Sequence, residues 1–376
     1  MQLPNPFEHL CDIKAILEKE KCSRIFLVTG KKSFETTGAK DILRKLLDGY
    51  TKAYYSEFST NPKIEDVVSG VKLVSEFSPD IVIAIGGGSV MDTAKLICSL
   101  SEDYIESKKI ILGQLPLGQR NFPLVAIPTT AGSGSESTHF AVVYIDGEKF
   151  SLANKSLLPD YIVLDSSLTH SLPKKQTAIA ALDAFCQAIE SYWAVDSTDE
   201  SRSLSKESLL ITLNNYDSVV SNPNNDTRRN MLKASFLAGK AINITKTTAP
   251  HALSYCLTSK YNVPHGHAVA LTIGQFFIFH TNSGEKSYNG NYNKSILLTR
   301  MKELFHIINV EDSLGVNDYI LNMMIKGGLE TRLSRLGVKN NEALIELCLN
   351  INYERLKNNP VNITPEIAFK FYSNIF

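Results

Sequence analysis

The stretch that decides the fold is DIVIAIGGGSVMDTAKLI, Asp80–Ile97. Its first six residues are a short, β-branched apolar run, suited to a strand buried on both faces. Gly86, Gly87, Gly88 and Ser89 follow, and the apolar spacing then turns helical. Glycines let a backbone approach an anion closely, and the N–H groups at a helix start favour negative charge. The spacing is not G-x-G-x-x-G, so the ordinary dinucleotide fingerprint is absent. A plain tight strand-to-helix turn is the competing reading.

Working outward, LVAIPTTAGSGSESTHF (Leu124–Phe140) repeats the pattern. Its strand, Pro123–Thr129, ends at Thr129-Thr130, and Gly132-Ser133-Gly134-Ser135 add mobile backbone and hydroxyls. Two polar, glycine-rich turns after neighbouring parallel strands are where an open α/β sheet binds a nucleotide. Upstream, FLVTGKKSFE closes the strand Arg24–Thr29 with Gly30, Lys31 and Lys32. An acidic residue there would accept from the adenosine ribose; lysines instead welcome a 2′-phosphate, which leans toward NADP(H) over NAD(H). A solvated basic turn explains the lysines equally well. A further strand is expected at Tyr161–Asp165, with helical patterns at Ser33–Leu47 and after Asn61-Pro62.

Beyond Pro173 the pattern is helical, with only AVALTI (Ala268–Ile273) reading as strand. The expectation is a Rossmann-like parallel-sheet α/β domain over 1–168 and an all-α catalytic domain over 169–376. At 376 residues the chain exceeds what a single core holds, in keeping with two domains. Lys+Arg and Asp+Glu balance at 39 each, which argues against nucleic-acid or anionic-membrane binding. Six cysteines without a C-x-x-C pair read as reduced cytosolic thiols. MQLPNPFEHLCDIKAI lacks a leader pattern and no segment has membrane-span length, so the expected location is cytoplasmic.

The second half carries two chemistry-bearing stretches. In ALDAFCQAIESYW (Ala181–Trp193), Asp183 and Gln187 share a helix face, with Glu190 one turn on. NITKTTAPHALSYCLTSKYNVPHGHAVALTI (Asn243–Ile273) gathers His251, His265 and His267. With Asp183 these could converge as metal ligands or as a proton relay. Lys246, Thr247 and Thr248 bring a cation and hydroxyls together, with Arg202 more distant. A solvated helix-end lysine is the alternative for Lys246.

AIGGGSVMDTAK, IPTTAGSGSE, ALDAFCQAIESYW and HALSY…VPHGHAVAL together resemble the iron-containing (group III) alcohol dehydrogenase family, in order, from about Cys22 to Asn359-Pro360. The resemblance implies a nucleotide-binding domain, a helical domain and a cleft between them. It also implies hydride transfer between NAD(P)H and a carbonyl, with Fe²⁺ or Zn²⁺ polarising the oxygen. Gly86, Gly87, Gly88, Ser89 and Asp92 match the family's pyrophosphate turn, and Thr129, Thr130 and Ser133 its second nucleotide turn. Asp183 and His265 match metal ligands. The other two ligand positions, histidines in the family, hold Gln187 and Thr247; His251 is the retained second histidine of an H-x-x-x-H pair.

An amide or hydroxyl oxygen is a poor substitute for imidazole. Three readings stay open: a metal held by Asp183, His265 and His251 with Gln187 or water; no metal, with charge from Lys246; or loss of activity. Within the family, the stretches Ile244–Leu271 and Asp183–Arg202 look most like the phosphonoacetaldehyde reductase (hydroxyethylphosphonate dehydrogenase) branch. The expected activity is therefore NAD(P)H-dependent reduction of a small aldehyde, first phosphonoacetaldehyde, in phosphonate biosynthesis. Lys246, Thr247 and Gln187 would contact the substrate, and His251 or His267 would relay a proton. A homodimer is the candidate assembly. The rivals are a family member acting on an uncharged aldehyde, a lyase resembling dehydroquinate synthase, and an inactive nucleotide-binding protein.

Overall fold

The computed structural model describes residues 4–284, 288–351 and 353–376. They form two compact units, Met1–Ser171 and Leu172–Phe376. In the first, β1 (Arg24–Thr29), β2 (Thr51–Tyr55), β3 (Ile81–Gly86), β4 (Leu124–Pro128) and β7 (Tyr161–Ile162) make a parallel sheet in the order β2-β1-β3-β4-β7. Both faces are covered. Phe26, Val28, Val82 and Ala84 pack on one side against helices α1 (Ile64–Phe77) and α2 (Gly88–Ile97). Ile25, Leu27, Ile81, Ile83 and Ile85 pack on the other side with Leu17 and Leu43. This explains the unbroken apolar runs, because a strand buried on both faces has no polar side to alternate with.

Two parts of this unit carry weak signals in the sequence. β2 is an edge strand in which only Tyr55 is buried, so TKAYY shows no apolar run. β5 (Phe140–Ile145) and β6 (Glu148–Ala153) form a separate antiparallel hairpin. Its turn is Asp146-Gly147, with φ of 52° and 85°. An Asp-Gly pair with both φ positive is the usual two-residue hairpin connection, and it was the available signal. The helical pattern at Ser33–Leu47 is two short helices, Ser33–Thr36 and Ala39–Leu46, parted at Gly38.

The second unit is helical. Its centre is α3 (Lys174–Trp193), buried almost throughout from Thr177 onward. It packs against α4 (Asp199–Ser221), α5 (Asn225–Thr245) and, further along the chain, α7 (His265–Thr281); α6 (Ala249–Tyr261) lies against α7. Ala268–Ile273, the one stretch whose composition also suits a strand, lies inside α7, in keeping with the all-α expectation. A helix enclosed on all sides reads as a continuous apolar run, and six residues of such a run do not distinguish it from a strand. Among the described residues no helix is long and apolar enough to cross a membrane.

Candidate nucleotide turns and ligand cluster

In the first unit, chain order reverses between β1 and β3, and a crevice forms beyond the carboxyl ends of strands at such a switch point. The loops beginning at Gly30 and Gly86 leave the sheet there, joined by the Gly30 N–H donating to the Ile85 carbonyl at 3.4 Å. Gly86 is required by packing: a Cβ on it would lie 2.3 Å from a methyl of Val90 on α2. Gly87 is the N-cap of α2, and no side chain caps that helix. The second turn closes on the first. Thr129 N–H donates to the Gly86 carbonyl at 2.9 Å, and Cβ atoms built on Gly87 and Gly88 would meet Thr130 at 3.6 Å and Ser133 at 3.0 Å. Gly86, Gly87, Gly88, Thr129, Thr130 and Ser133 are thus brought together.

Three expected nucleotide contacts have partners within the protein. The Ser89 hydroxyl donates to the Thr60 carbonyl. Asp92 accepts from Ser135 Oγ at 2.6 Å and from the Val142 N–H at 3.1 Å, which ties α2 to the second turn and to β5. Lys31 Nζ pairs with Glu57 at 2.7 Å. A carboxylate therefore stands beside the very lysine expected to receive a 2′-phosphate.

Beneath the turns lies a group the sequence reading did not identify. Lys95 is fully buried, and its ammonium lies 2.6 Å from the Ser135 carbonyl and 2.8 Å from those of Thr138 and Phe140, with the Ser135 and Thr138 hydroxyls at 3.2 Å. Burial lowers its pKa to about 8 despite the opposing pull of Asp92 and Glu136. Glu136 is buried too, and desolvation raises it to about 7. The signal was the Asp-x-x-Lys spacing of Asp92 and Lys95, which puts both charges on one side of a helix packed on the sheet.

In the second unit, α3, α6 and α7 bring Asp183, His251 and His265 together, with candidate ligand atoms all within 4.8 Å of one another. Gly266 makes this approach feasible: a Cβ there would lie 2.3 Å from the Ile179 carbonyl and 2.7 Å from Cβ of Asp183. Glu190, seven residues after Asp183 on the same face, fixes His251. One of its oxygens takes the His251 Nδ1–H; the other accepts from the Thr248 N–H at 2.6 Å and the Thr248 hydroxyl at 2.8 Å. That leaves His251 Nε2 buried, without a hydrogen-bond partner among the described residues and 3.6 Å from Asp183 Oδ1.

Ser254 sets the second ring. Its one hydroxyl proton goes to the His251 carbonyl at 2.7 Å, so its oxygen accepts from His265 Nδ1 at 3.2 Å. Nε2 is then the lone-pair atom of His265. Burial opposes charge on His251, but Glu190 and Asp183 outweigh it and hold its pKa up at about 9.

One carboxylate and two imidazoles, one of them backed by a buried carboxylate, fit a divalent ion such as Fe²⁺ or Zn²⁺. Gln187 is buried one turn on from Asp183. His267 is not brought to this cluster. Two residues beyond His265 its ring leaves a different side of α7, where Nε2 donates to the Glu330 carbonyl at 2.6 Å and burial depresses its pKa. Its expected role as a proton carrier gives way to packing.

Lys246 follows α5 with φ 62° and ψ −179°, a conformation normally reserved for glycine that costs about 1–3 kcal/mol. Its side chain is exposed and its ammonium makes no hydrogen bond or ion pair among the described residues. Thr247 comes next, then Thr248, which is bound to Glu190. Glu190 lay on the Asp183 face in the sequence, but its partner is 61 residues distant and could not be read from spacing.

A family model described as iron-containing alcohol dehydrogenase matches residues 8–166, and a second, for the C-terminal region of the same family, matches 177–376. Aldehyde-alcohol dehydrogenase 2 of Entamoeba histolytica is 29% identical over 287 residues, covering 72% of this chain and 33% of that protein. The long-chain primary alcohol dehydrogenase AdhA of Thermoanaerobacter ethanolicus is 30% identical over 261 residues, covering 68% and 65%. The matched stretch thus spans between a third and two thirds of these relatives. Among solved structures, sulfoacetaldehyde reductase from Bifidobacterium kashiwanohense in complex with NAD⁺ aligns with a TM-score of 0.87 and 27% identity, over 100% of this chain and 98% of that one. An iron-containing alcohol dehydrogenase from Thermotoga maritima aligns with a TM-score of 0.83 and 27% identity over the same shares.

Proposed function

We propose, from the premise that this chain belongs to the iron-containing alcohol dehydrogenase family, that it reduces a short aldehyde bearing an anionic group to the alcohol with NADH. Phosphonoacetaldehyde is the first substrate to test. The observation that carries this reading is the convergence of Asp183, His251 and His265 next to a turn that offers Lys246 and Thr247. An anionic tail needs a cation and hydroxyls, and this turn has both. Likeness to a sulfoacetaldehyde reductase supports the same substrate class, since a sulfonate and a phosphonate pose similar binding problems. The NAD⁺ in that structure and the Glu57 carboxylate beside Lys31 favour NAD(H) over NADP(H).

NADH, when bound, supplies the hydride to the carbonyl carbon. A divalent ion held by Asp183, His251 and His265 would supply positive charge at the carbonyl oxygen. The chain's own residues do the rest. Glu190 holds the His251 ring, Ser254 fixes the tautomer of His265, and Lys246 with Thr247 anchors the anionic tail. A second reading rests on the raised pKa of His251: with no ion present, its imidazolium would stabilise the developing alkoxide and give it a proton.

Steady-state NADH and NADPH oxidation with phosphonoacetaldehyde, sulfoacetaldehyde and propanal tests the proposal. It expects kcat/KM for the anionic aldehydes to exceed that for propanal by about tenfold or more, the scale of one charged hydrogen bond. Equal rates with propanal would point to the uncharged-aldehyde rival. Product without net NADH oxidation would point to lyase chemistry, and tight NADH binding without turnover to an inactive protein.

A further inference from the structure

The strained turn at Lys246 is clamped by a residue far away in the chain. Asn358 Nδ2 donates to the carbonyls on both sides of Lys246, that of Thr245 at 2.6 Å and that of Thr247 at 3.1 Å. The Thr245 hydroxyl, 2.9 Å from Ser191 Oγ, lies 2.7 Å from the Lys246 carbonyl. The Lys246 N–H closes onto the Ile242 carbonyl at 2.7 Å. Asn358 is itself anchored at the end of α3: Oδ1 accepts from the Asp196 N–H at 3.1 Å and its carbonyl from the Val195 N–H at 2.9 Å.

A glycine would adopt φ 62°, ψ −179° without strain. Lysine stands there instead, with its ammonium unengaged among the described residues, so a costly backbone is maintained under a side chain the fold does not use. Strained backbone of this kind persists only where its surroundings over-determine it, and one amide bonded to both flanking carbonyls does so. Without that amide the turn can relax toward negative φ. The Lys246 side chain and Thr247 would then leave in different directions, while Thr248 stays bound to Glu190.

We propose that Asn358 is a positioning residue for substrate charge: by clamping the Lys246 turn, it makes the enzyme prefer anionic over neutral aldehydes. This rests on the anionic-aldehyde reading above. The test compares kcat/KM for phosphonoacetaldehyde and for propanal, with NADH, in the unmodified enzyme and in Asn358→Asp, Asn358→Ala and Lys246→Met. Asn358→Asp keeps an acceptor for Asp196 but sets a charged oxygen against the Thr245 and Thr247 carbonyls, so the charge-free Asn358→Ala is read beside it, and circular dichroism of each variant establishes that it folds.

The anionic-to-neutral ratio is expected to fall about tenfold in each Asn358 variant, through KM for the phosphonate, with propanal kinetics within about twofold of the parent. Parallel losses on both aldehydes would overturn the proposal in favour of a structural staple. A ratio lost in Lys246→Met but kept in both Asn358 variants would overturn it and leave the substrate reading intact. If the unmodified enzyme shows no preference for the anionic aldehyde, both fall together.

Discussion

Each unit buries charge, and the two arrangements differ in what they leave unsatisfied. In the first, the Lys95 ammonium is surrounded by five oxygens from Ser135, Thr138 and Phe140, so its charge is used inside the protein. In the second, Glu190 spends both oxygens on Thr248 and His251, yet the outer nitrogen of His251 is left facing Asp183 and no donor. The first network is scaffolding for two glycine turns; the second reads as a receptor for a positive ion. Buried charge alone does not mark a site. A buried ring nitrogen set 3.6 Å from a carboxylate oxygen and within reach of a third ligand atom does.

The contrast can be broken at several points. Lys95→Met should have the largest effect, because it leaves three buried carbonyls and Asp92 without their cation. A loss of about 3–5 kcal/mol of stability is expected from urea unfolding, with NADH binding lost along with the turns. Unchanged stability would show that Lys95 is not scaffolding. Glu190→Gln should be milder and of another kind. Losing an orienting carboxylate typically costs about 10- to 100-fold in metal affinity, with the fold intact by circular dichroism. A variant that unfolds, or that binds metal normally, would erase the distinction.

A pH series sharpens the comparison further. Glu136 is raised from 4.5 to about 7 by burial, so between those values the folded state holds a proton that the unfolded state has lost. Stability should fall as pH rises through that window. Lys95 is lowered from 10.5 to about 8 by burial, so there the unfolded state binds more protons and stability should recover as pH rises from about 8. Hydrogen exchange at α2 should therefore be fastest, after correction for intrinsic rates, between about pH 7 and about pH 8, and Glu136→Gln should flatten the acid side. The smallest effect is expected for Lys31→Ala. Its pair with Glu57 is exposed and screened by solvent, so melting should barely move.

The strands around the nucleotide turns were legible because burial on both faces writes itself as continuous apolar runs, and Gly86 because a β–α contact excludes any Cβ. β2 was not, being an edge strand with one buried residue. AVALTI was ambiguous because an enclosed helix and a buried strand share one composition over six residues. At the ligand cluster, helical spacing put Asp183, Gln187 and Glu190 on one face. Spacing could not show that Glu190 reaches His251, that Asn358 reaches the Lys246 turn, or that His267 leaves α7 toward Glu330. Those are long-range pairings set by how helices pack, and the residues between them carry no trace of the contact. Gly266 lies between these cases: its place in Pro-His-Gly is visible, but its reason, contact with Ile179 and Asp183, is tertiary.

The most direct test of the cluster as an ion receptor is metal analysis of the purified protein beside Asp183→Ala, before and after chelation, with aldehyde reduction followed on the same samples. A stoichiometric divalent ion in the parent, its loss in Asp183→Ala, and activity that disappears on chelation and returns with Fe²⁺ or Zn²⁺ are expected. Full activity in parent protein stripped of metal would contradict the receptor reading and leave the His251 imidazolium as the source of charge.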